Sequence, residues 1–356
     1  MVAPLKIGIL TFHRCINYGS YWQARCLVEG LRALGYDAVL LDHDSPPVRW
    51  LEWRCALQPQ RPLRGPPGDV AEHSSKTRQF LEAFDKLPRS VPFPTESPAA
   101  AERFDVAVVG SDEVWNLRHP WYGGYPIFFG EGLKSDRLVS YAASFGNYDA
   151  SCGLPAYWAR RLANFAPISV RDQNSERIVR GALGSDPELV LDPCLLFPPA
   201  AEPDPAETRA PYVAVYGHGF PSWFINAVRK WSASSGYRLL SIGYRNDWAD
   251  EQQIATAPER FARLMAGAVA VITNFFHGCV FALLNAKPFA CISSDYRGNK
   301  VRDLMQTVDT KRHLVAEDGD WSIADLLGNP LDDVVDRGLA SLRSRSLDYL
   351  RSALAP

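Results

Sequence analysis

The sequence is short of the residues that build crosslinks and metal sites. Its seven cysteines (Cys15, Cys26, Cys55, Cys152, Cys194, Cys279 and Cys291) are scattered, odd in number and form no CxxC pair. That argues against a disulfide framework or a structural zinc. HxxxH and HExxH are absent and the carboxylates do not cluster, so no metal cofactor is expected. There is no GxSxG elbow, which leaves a serine hydrolase without support. The first loop lacks GxGxxG, which makes a dinucleotide reading weak. A basic excess is missing too: 38 Lys and Arg stand against 40 Asp and Glu, for a net charge of −2. Nucleic acid is therefore not an expected partner. Long apolar runs are also lacking. The N-terminal MVAPLKIGILTF is too short to span a membrane and has no signal-peptide layout. A soluble, cytoplasmic protein with no transmembrane segment is expected.

What is present suits a packed globular protein. The chain has 356 residues, 47% hydrophobic and 22% charged, enough for two α/β domains. Arginine far outnumbers lysine and supplies groups suited to carboxylate and phosphate recognition. The apolar run 5–12, a helix pattern ending at Gly35 and the strand 37–42 form a βαβ unit. Residues 45–70 and 88–99 are Pro-rich and read as loops, with a helix over 76–87 between them. Strands follow at 104–112, 137–146, 166–172 and 188–193, and helices at 157–165 and 175–184, with Ser175 as a cap for the second. Residues 198–211 are rich in proline and small or acidic residues and read as a linker. The rhythm then restarts with strands 212–217, 238–244, 268–274 and 288–293 and helices 222–235, 258–266 and 278–286. The pattern predicts an α/β fold of two Rossmann-like β/α domains facing a cleft, which is GT-B-like. The domains are 1–200, with an excursion at 45–100, and 210–330. A C-terminal helix within 331–356 would pack back on the N-terminal domain. Homo-oligomerisation is compatible with this plan.

In such folds ligands sit at the carboxyl ends of strands. Five places follow. Asn17, Tyr18 and Gly19 precede or open the first helix, where free N–H groups suit an anion or other ligand; the plain alternative is a turn permitted by Gly19. Ser111 and Asp112 end a strand in Gly-Ser-Asp, where Asp112 is placed to take a proton from a hydroxyl, or else to cap a helix. Ser144 and Phe145, before Gly146, allow close approach by a ligand, or make an ordinary tight turn. Arg171 can grip a carboxylate or phosphate through two parallel bonds, or pair at the surface with Asp172 or Glu176. Asn274 and His277 lie between a very apolar strand and an apolar helix, where the histidine suits proton transfer, or caps the helix. Lys300 and Arg302 add positive charge near an anionic ligand, or lie on a solvated face.

Taken in order, six stretches resemble the polysaccharide pyruvyl transferase family: KIGILTFHRCINYGSYWQA (6–24), FDVAVVGSDEVWN (104–116), SYAASFG (140–146), ISVRD (168–172), VLDP (190–193) and TNFFHGCVFALLNAKPF (273–289). The resemblance implies a GT-B-like fold, phosphoenolpyruvate as co-substrate with no other cofactor, and a product in which pyruvate forms a cyclic ketal on two sugar hydroxyls. It puts the general acid on His277 and the donor-binding arginine on Arg171. Some members carry a second arginine where this chain has Phe275, and others a serine there; Lys300, Arg302 and Arg297 are candidates by position to replace that charge. The acceptor would be a sugar, a glycan or a lipid-linked saccharide. Two other readings share the pattern: a GT-B-type glycosyltransferase using a nucleotide-sugar, and a non-catalytic binding protein of glycan assembly, which Phe275 keeps open.

Overall fold

The computed structural model describes residues 4–59, 68–203, 210–292 and 298–355. The chain divides into two compact units. The first comprises Met1–Glu52, Phe84–Pro198 and Ala340–Pro356, and the second Trp53–Ala83 and Pro199–Leu339. Along the first half the elements are β1 (Lys6–Leu10), α1 (Tyr18–Ala33), β2 (Asp37–Leu40), β3 (His43–Asp44), α2 (Pro46–Leu57), α3 (Asp69–Phe84), β4 (Phe93–Pro94), β5 (Phe104–Val109), β6 (Ser135–Ser140), α4 (Ala156–Leu162), β7 (Ser169–Val170), α5 (Gln173–Leu183), β8 (Glu188–Leu189) and α6 (Pro193–Leu196).

The sheet of the first unit runs β2-β1-β5-β6, all parallel, with Ile7 between Ala38 and Val106. Its central strands are nearly continuous apolar runs because helices cover both faces of a parallel sheet. Single bridges from Asp112 to Ala143 and from Ala143 to Val170 carry the sheet on to β7 and β8. The connections turn from one side of β1 to the other between β1 and β5. That reversal opens a crevice at the strands' carboxyl ends. A buried aromatic core of Trp115, Phe128, Phe129, Phe145 and Phe165 lies beneath the turn that follows β5. Trp115 Nε1 donates to the Phe128 carbonyl at 2.8 Å and so anchors that turn.

The second unit continues with β9 (Tyr212–Tyr216), α7 (Ser222–Ser235), β10 (Arg238–Ile242), β11 (Glu251–Gln253), α8 (Pro258–Gly267), β12 (Ala270–Thr273), α9 (Phe276–Leu284), β13 (Phe289–Ile292), α10 (Gly298–Thr307), β14 (Leu314–Val315), α11 (Ile323–Gly328) and α12 (Asp333–Ala353). Its parallel sheet runs β11-β10-β9-β12-β13-β14. Counted within the unit this is the order 3-2-1-4-5-6 of nucleotide-binding sheets, with the crevice between β9 and β12. From Ala340 onward α12 is part of the first unit, where Arg343 Nε donates to the Leu195 carbonyl and Tyr349 Oη to the Ser140 carbonyl, both at 2.7 Å. No described helix is long and apolar enough to cross a membrane.

The strands expected from apolar runs are present, and several short elements differ from expectation. The stretch expected to be loop over 45–70 contains α2, because Pro46 and Pro47 open the helix instead of breaking it. The helix expected at 76–87 begins earlier, at Asp69, with Asp69 and Glu72 in its first turn, where the helix dipole favours acids. Asp172, not Ser175, caps α5, its Oδ1 accepting the Ser175 N–H at 2.7 Å. The middle of the expected linker, residues 204–209, lies outside the described residues.

Gly110 turns the chain out of β5 toward Ser111 and Asp112 with φ +117°, and a Cβ there would stand 2.2 Å from the Tyr141 carbonyl oxygen. The obstacle is backbone and cannot swing away. Gly110→Ala should destabilise the protein by about 3 kcal/mol or more. Calorimetry checks this, and an unchanged Tm would contradict the geometry.

Candidate functional site

In the first unit the residues at the carboxyl ends of β1, β5 and β7 converge on one buried cluster. The Arg171 side chain is 2% exposed; its Nη2 donates to Asp112 Oδ1 and its Nη1 to Asp192 Oδ2, each at 2.9 Å. Nη1 also lies 3.4 Å from Ser111 Oγ. Burial alone would lower the arginine pKa, but the Asp112 and Asp192 carboxylates outweigh it, and the guanidinium is held above its ordinary value. Asp112 accepts two further bonds, from the Glu113 N–H at 2.9 Å on Oδ1 and from Ser20 Oγ at 2.7 Å on Oδ2. Three donors thus hold this carboxylate ionised and in one orientation.

The surface pairing considered for Arg171 is corrected: it is buried, and its η nitrogens bond Asp112 and Asp192, not Asp172 or Glu176. It therefore orients Asp112. Asp112 does not cap a helix either, since no α-helix begins after it. Asn17 is exposed and caps α1, its Oδ1 accepting the N–H groups of Gly19 and Ser20 at 2.8 and 3.3 Å. Those two donors are therefore occupied by the chain itself, and Tyr18 is fully buried. Ser144 Oγ donates to Asp172 Oδ2 at 2.6 Å and receives the Gly146 N–H at 2.9 Å, a brace for the turn. Phe145, expected to touch ligand, is a core residue: it is fully buried and its ring lies 5.4 Å from that of Trp115.

In the second unit the crevice between β9 and β12 is flanked by Gly217-His218-Gly219 and Asn274-Phe275-Phe276-His277. His277 lies in the first turn of α9, buried, with its ring 5.1 Å from that of Phe276. The turn is shaped by Thr273, whose Oγ1 donates to the Tyr216 carbonyl at 2.7 Å and accepts the Phe275 N–H at 3.0 Å. Gly278 is required beside it, since a Cβ there would meet Thr273 Oγ1 at 1.9 Å. Asn274 Nδ2 donates to the His218 carbonyl at 2.7 Å, while its buried Oδ1 has no hydrogen-bond partner among the described residues. The α9 N-terminus has no side-chain cap. A helix N-terminus without a side-chain cap, an amide oxygen and an imidazole are groups that can serve anion binding and proton transfer. Lys300 and Arg302 do not act as a pair here: Lys300 is buried on α10, whereas Arg302 is exposed and bonds Asn299 of its own helix. Arg297 lies outside the described residues.

Three functional candidates were missed from sequence. Ser20 and Asp192 were each inside a quoted stretch, but their partners are distant in the chain. His218, between two glycines after β9, carried the same strand-end signal as His277 and was passed over.

Behind the first cluster, the loop 11–16 is clamped from below. Asp42 receives two bonds from Arg14, at 2.6 and 2.7 Å, and one from His13 Nε2 at 2.9 Å. Burial would raise the Asp42 pKa, but these bonds hold it well below the usual carboxylate range. Burial, aided by His13, pushes His43 down to about 3, so it is neutral and donates Nε2–H to the Thr11 carbonyl at 2.9 Å. Glu52 Oε1 accepts the Ile16 N–H at 2.8 Å, just ahead of the α1 cap. Burial raises the Glu52 pKa to about 7, against a partial lowering by that bond. The folded state then holds a proton that the unfolded chain loses near pH 4.5. Stability should fall as pH rises from about 4.5 to about 7, by on the order of 3 kcal/mol. Glu52→Gln keeps the bond and should remove that part of the slope. Urea titrations of both proteins across this range check it, and parallel curves would refute it.

The family model for polysaccharide pyruvyl transferase matches residues 17–296. No curated protein matches the sequence. Among solved structures, a protein provisionally named UDP-N-acetylglucosamine 2-epimerase, from Listeria monocytogenes, aligns with a TM-score of 0.52 at 11% identity, over 98% of this chain and 96% of that one. Anabaena Alr3699/HepE, solved with UDP and glucose, aligns at 0.46 and 9% identity, over 98% and 100%. AviGT4, a glycosyltransferase involved in Avilamycin A biosynthesis, aligns at 0.45 and 14% identity, over 99% of each chain. The first of these likenesses supports the fold alone, a two-unit Rossmann-like α/β plan of the GT-B type. The match over residues 17–296 is what assigns the sequence: this chain belongs to the polysaccharide pyruvyl transferase family.

Proposed function

We propose that this protein transfers a pyruvyl group from phosphoenolpyruvate to two hydroxyls of a sugar, glycan or lipid-linked saccharide, forming a cyclic ketal and releasing phosphate. Family membership across residues 17–296 carries the reading. The side-chain chemistry supports it. Protonation of the donor's methylene carbon makes the methyl group and leaves an electrophilic carbon, which a first hydroxyl attacks. A second hydroxyl then displaces phosphate and closes the ring, so that one diol and one phosphoenolpyruvate give one ketal and one phosphate. His277, as imidazolium, is assigned the proton donation. Asp112, kept ionised by Arg171 and Ser20, is assigned acceptance of the hydroxyl proton. The uncapped α9 N-terminus and the Asn274 amide supply fixed dipoles for the anionic donor.

Mass spectrometry of candidate acceptors incubated with the protein and phosphoenolpyruvate tests the reaction. The expected product gains the mass of pyruvate less water, with one phosphate released per ketal. His277→Gln and Asp112→Asn should each lower turnover by roughly 100-fold or more while remaining folded. Near wild-type turnover in folded His277→Gln would remove the proton-donor role. A shift in thermal stability with nucleoside diphosphates and none with phosphoenolpyruvate would favour a nucleotide-sugar glycosyltransferase instead.

A further inference from the structure

The segment 53–83 belongs to the second unit although it precedes most of the first, and no part of the family-like stretches lies in it. Its helix α3 turns one face toward the loop after β10. On that face Asp69, His73 and Lys76 follow at helical spacing, all buried. Asp69 receives two bonds from Arg245, at 2.6 and 2.5 Å. Lys76 is 4% exposed; its Nζ donates to the Gly243 carbonyl at 2.9 Å and lies 4.5 Å from the centre of the Tyr244 ring.

The contact continues inward. The Tyr244 ring is 5.2 Å from that of Phe275, which Tyr216 and His218 also flank at 5.0 and 5.5 Å. Phe275 is the residue before α9, and its carbonyl accepts the N–H groups of Gly278 and Cys279. With no side chain capping this helix end, packing of the Phe275 ring takes the place of a cap in fixing the first turn. His277 is in that turn.

We propose that Lys76 is a positioning residue for His277: its ammonium pins Gly243 and Tyr244, Tyr244 pins Phe275, and Phe275 sets the first turn of α9. The attraction between the ammonium and the Tyr244 face exists only while Lys76 is protonated. The titratable neighbours of Lys76 are His73 from its own helix and Cys55 from α2; Asp69 and Arg245, the latter bonded to Asp247 in the loop after β10, act on His73 in turn. His73 is pushed down to about 4 by burial first and by Lys76 next, and is neutral. Burial lowers Lys76 to about 7, so its charge, and with it the clamp, weakens as pH rises through neutrality.

The role in transfer rests on the reading of His277 given above, whereas the structural coupling is testable without substrate. In the full-length protein the His277 ring signal, identified by its loss in His277→Gln, is followed by NMR from pH 6 to 9. The wild type should show an inflection near pH 7. Lys76→Arg, charged throughout, should lose that inflection and keep the low-pH shift; Lys76→Met should lose it and keep the high-pH shift. A His277 signal that superimposes in wild type and Lys76→Arg at every pH overturns the proposal, even if Lys76→Met fails to fold. With an acceptor in hand, Lys76→Met should lower kcat roughly tenfold or more with little change in KM, and Lys76→Arg should restore it. If the wild type releases no phosphate with any acceptor, the pyruvyl-transfer reading fails while the NMR result still decides the coupling.

Discussion

A guanidinium taken out of water between two carboxylates constrains the whole first unit. Arg171 follows β7, Asp112 follows β5, and Asp192 precedes α6, so three chain segments must end within bonding distance of one group. Desolvating these charges costs several kcal/mol per ion, and the mutual bonds offset that cost only when all partners are present. The cluster is therefore a poor source of stability and a strict source of register. Its chemical consequence is at Asp112, whose carboxylate is fixed on one side by Arg171 and on the other by Ser20 at the start of α1. In the proposed reaction, a base so held would need no reorganisation when a hydroxyl arrives, which is where preorganised sites gain most.

The second unit reaches a similar end by other means. At the ends of β9 and β12 it relies on packing: Thr273 against Gly278, and Phe275 among Tyr216, His218 and Tyr244. Phe275 thus has a structural task in this chain.

Much of the fold was legible because buried parallel strands read as apolar runs and the loops between them are short. The β/α rhythm on both sides of residue 200 is visible in the sequence, as are the strand ends where Asp112, Arg171 and His277 sit. Elements with weaker local signals were not legible. Pro46 and Pro47 hid α2, and two-residue strands such as β7 and β8 exist only through their partners. Partners were the larger failure. Arg171 looked toward Asp172 and Glu176 because they are close in sequence, while the sheet delivers Asp112 and Asp192 from 59 and 21 positions away. Phe145 has the same flexible neighbours as a ligand-contacting residue, and only the packing of Trp115 reveals it as core. Lys76 lay in a stretch with no strand end to flag it.

The central claim is that Arg171 and its two carboxylates act as one unit. A double-mutant cycle on unfolding free energy, with Arg171→Met, Asp192→Asn and the double variant, tests it most directly. Each single change strands a buried charge and should cost about 3–5 kcal/mol, and the double should cost clearly less than their sum, with a coupling energy of about 2 kcal/mol or more. Single costs that add to within about 0.5 kcal/mol would contradict the account.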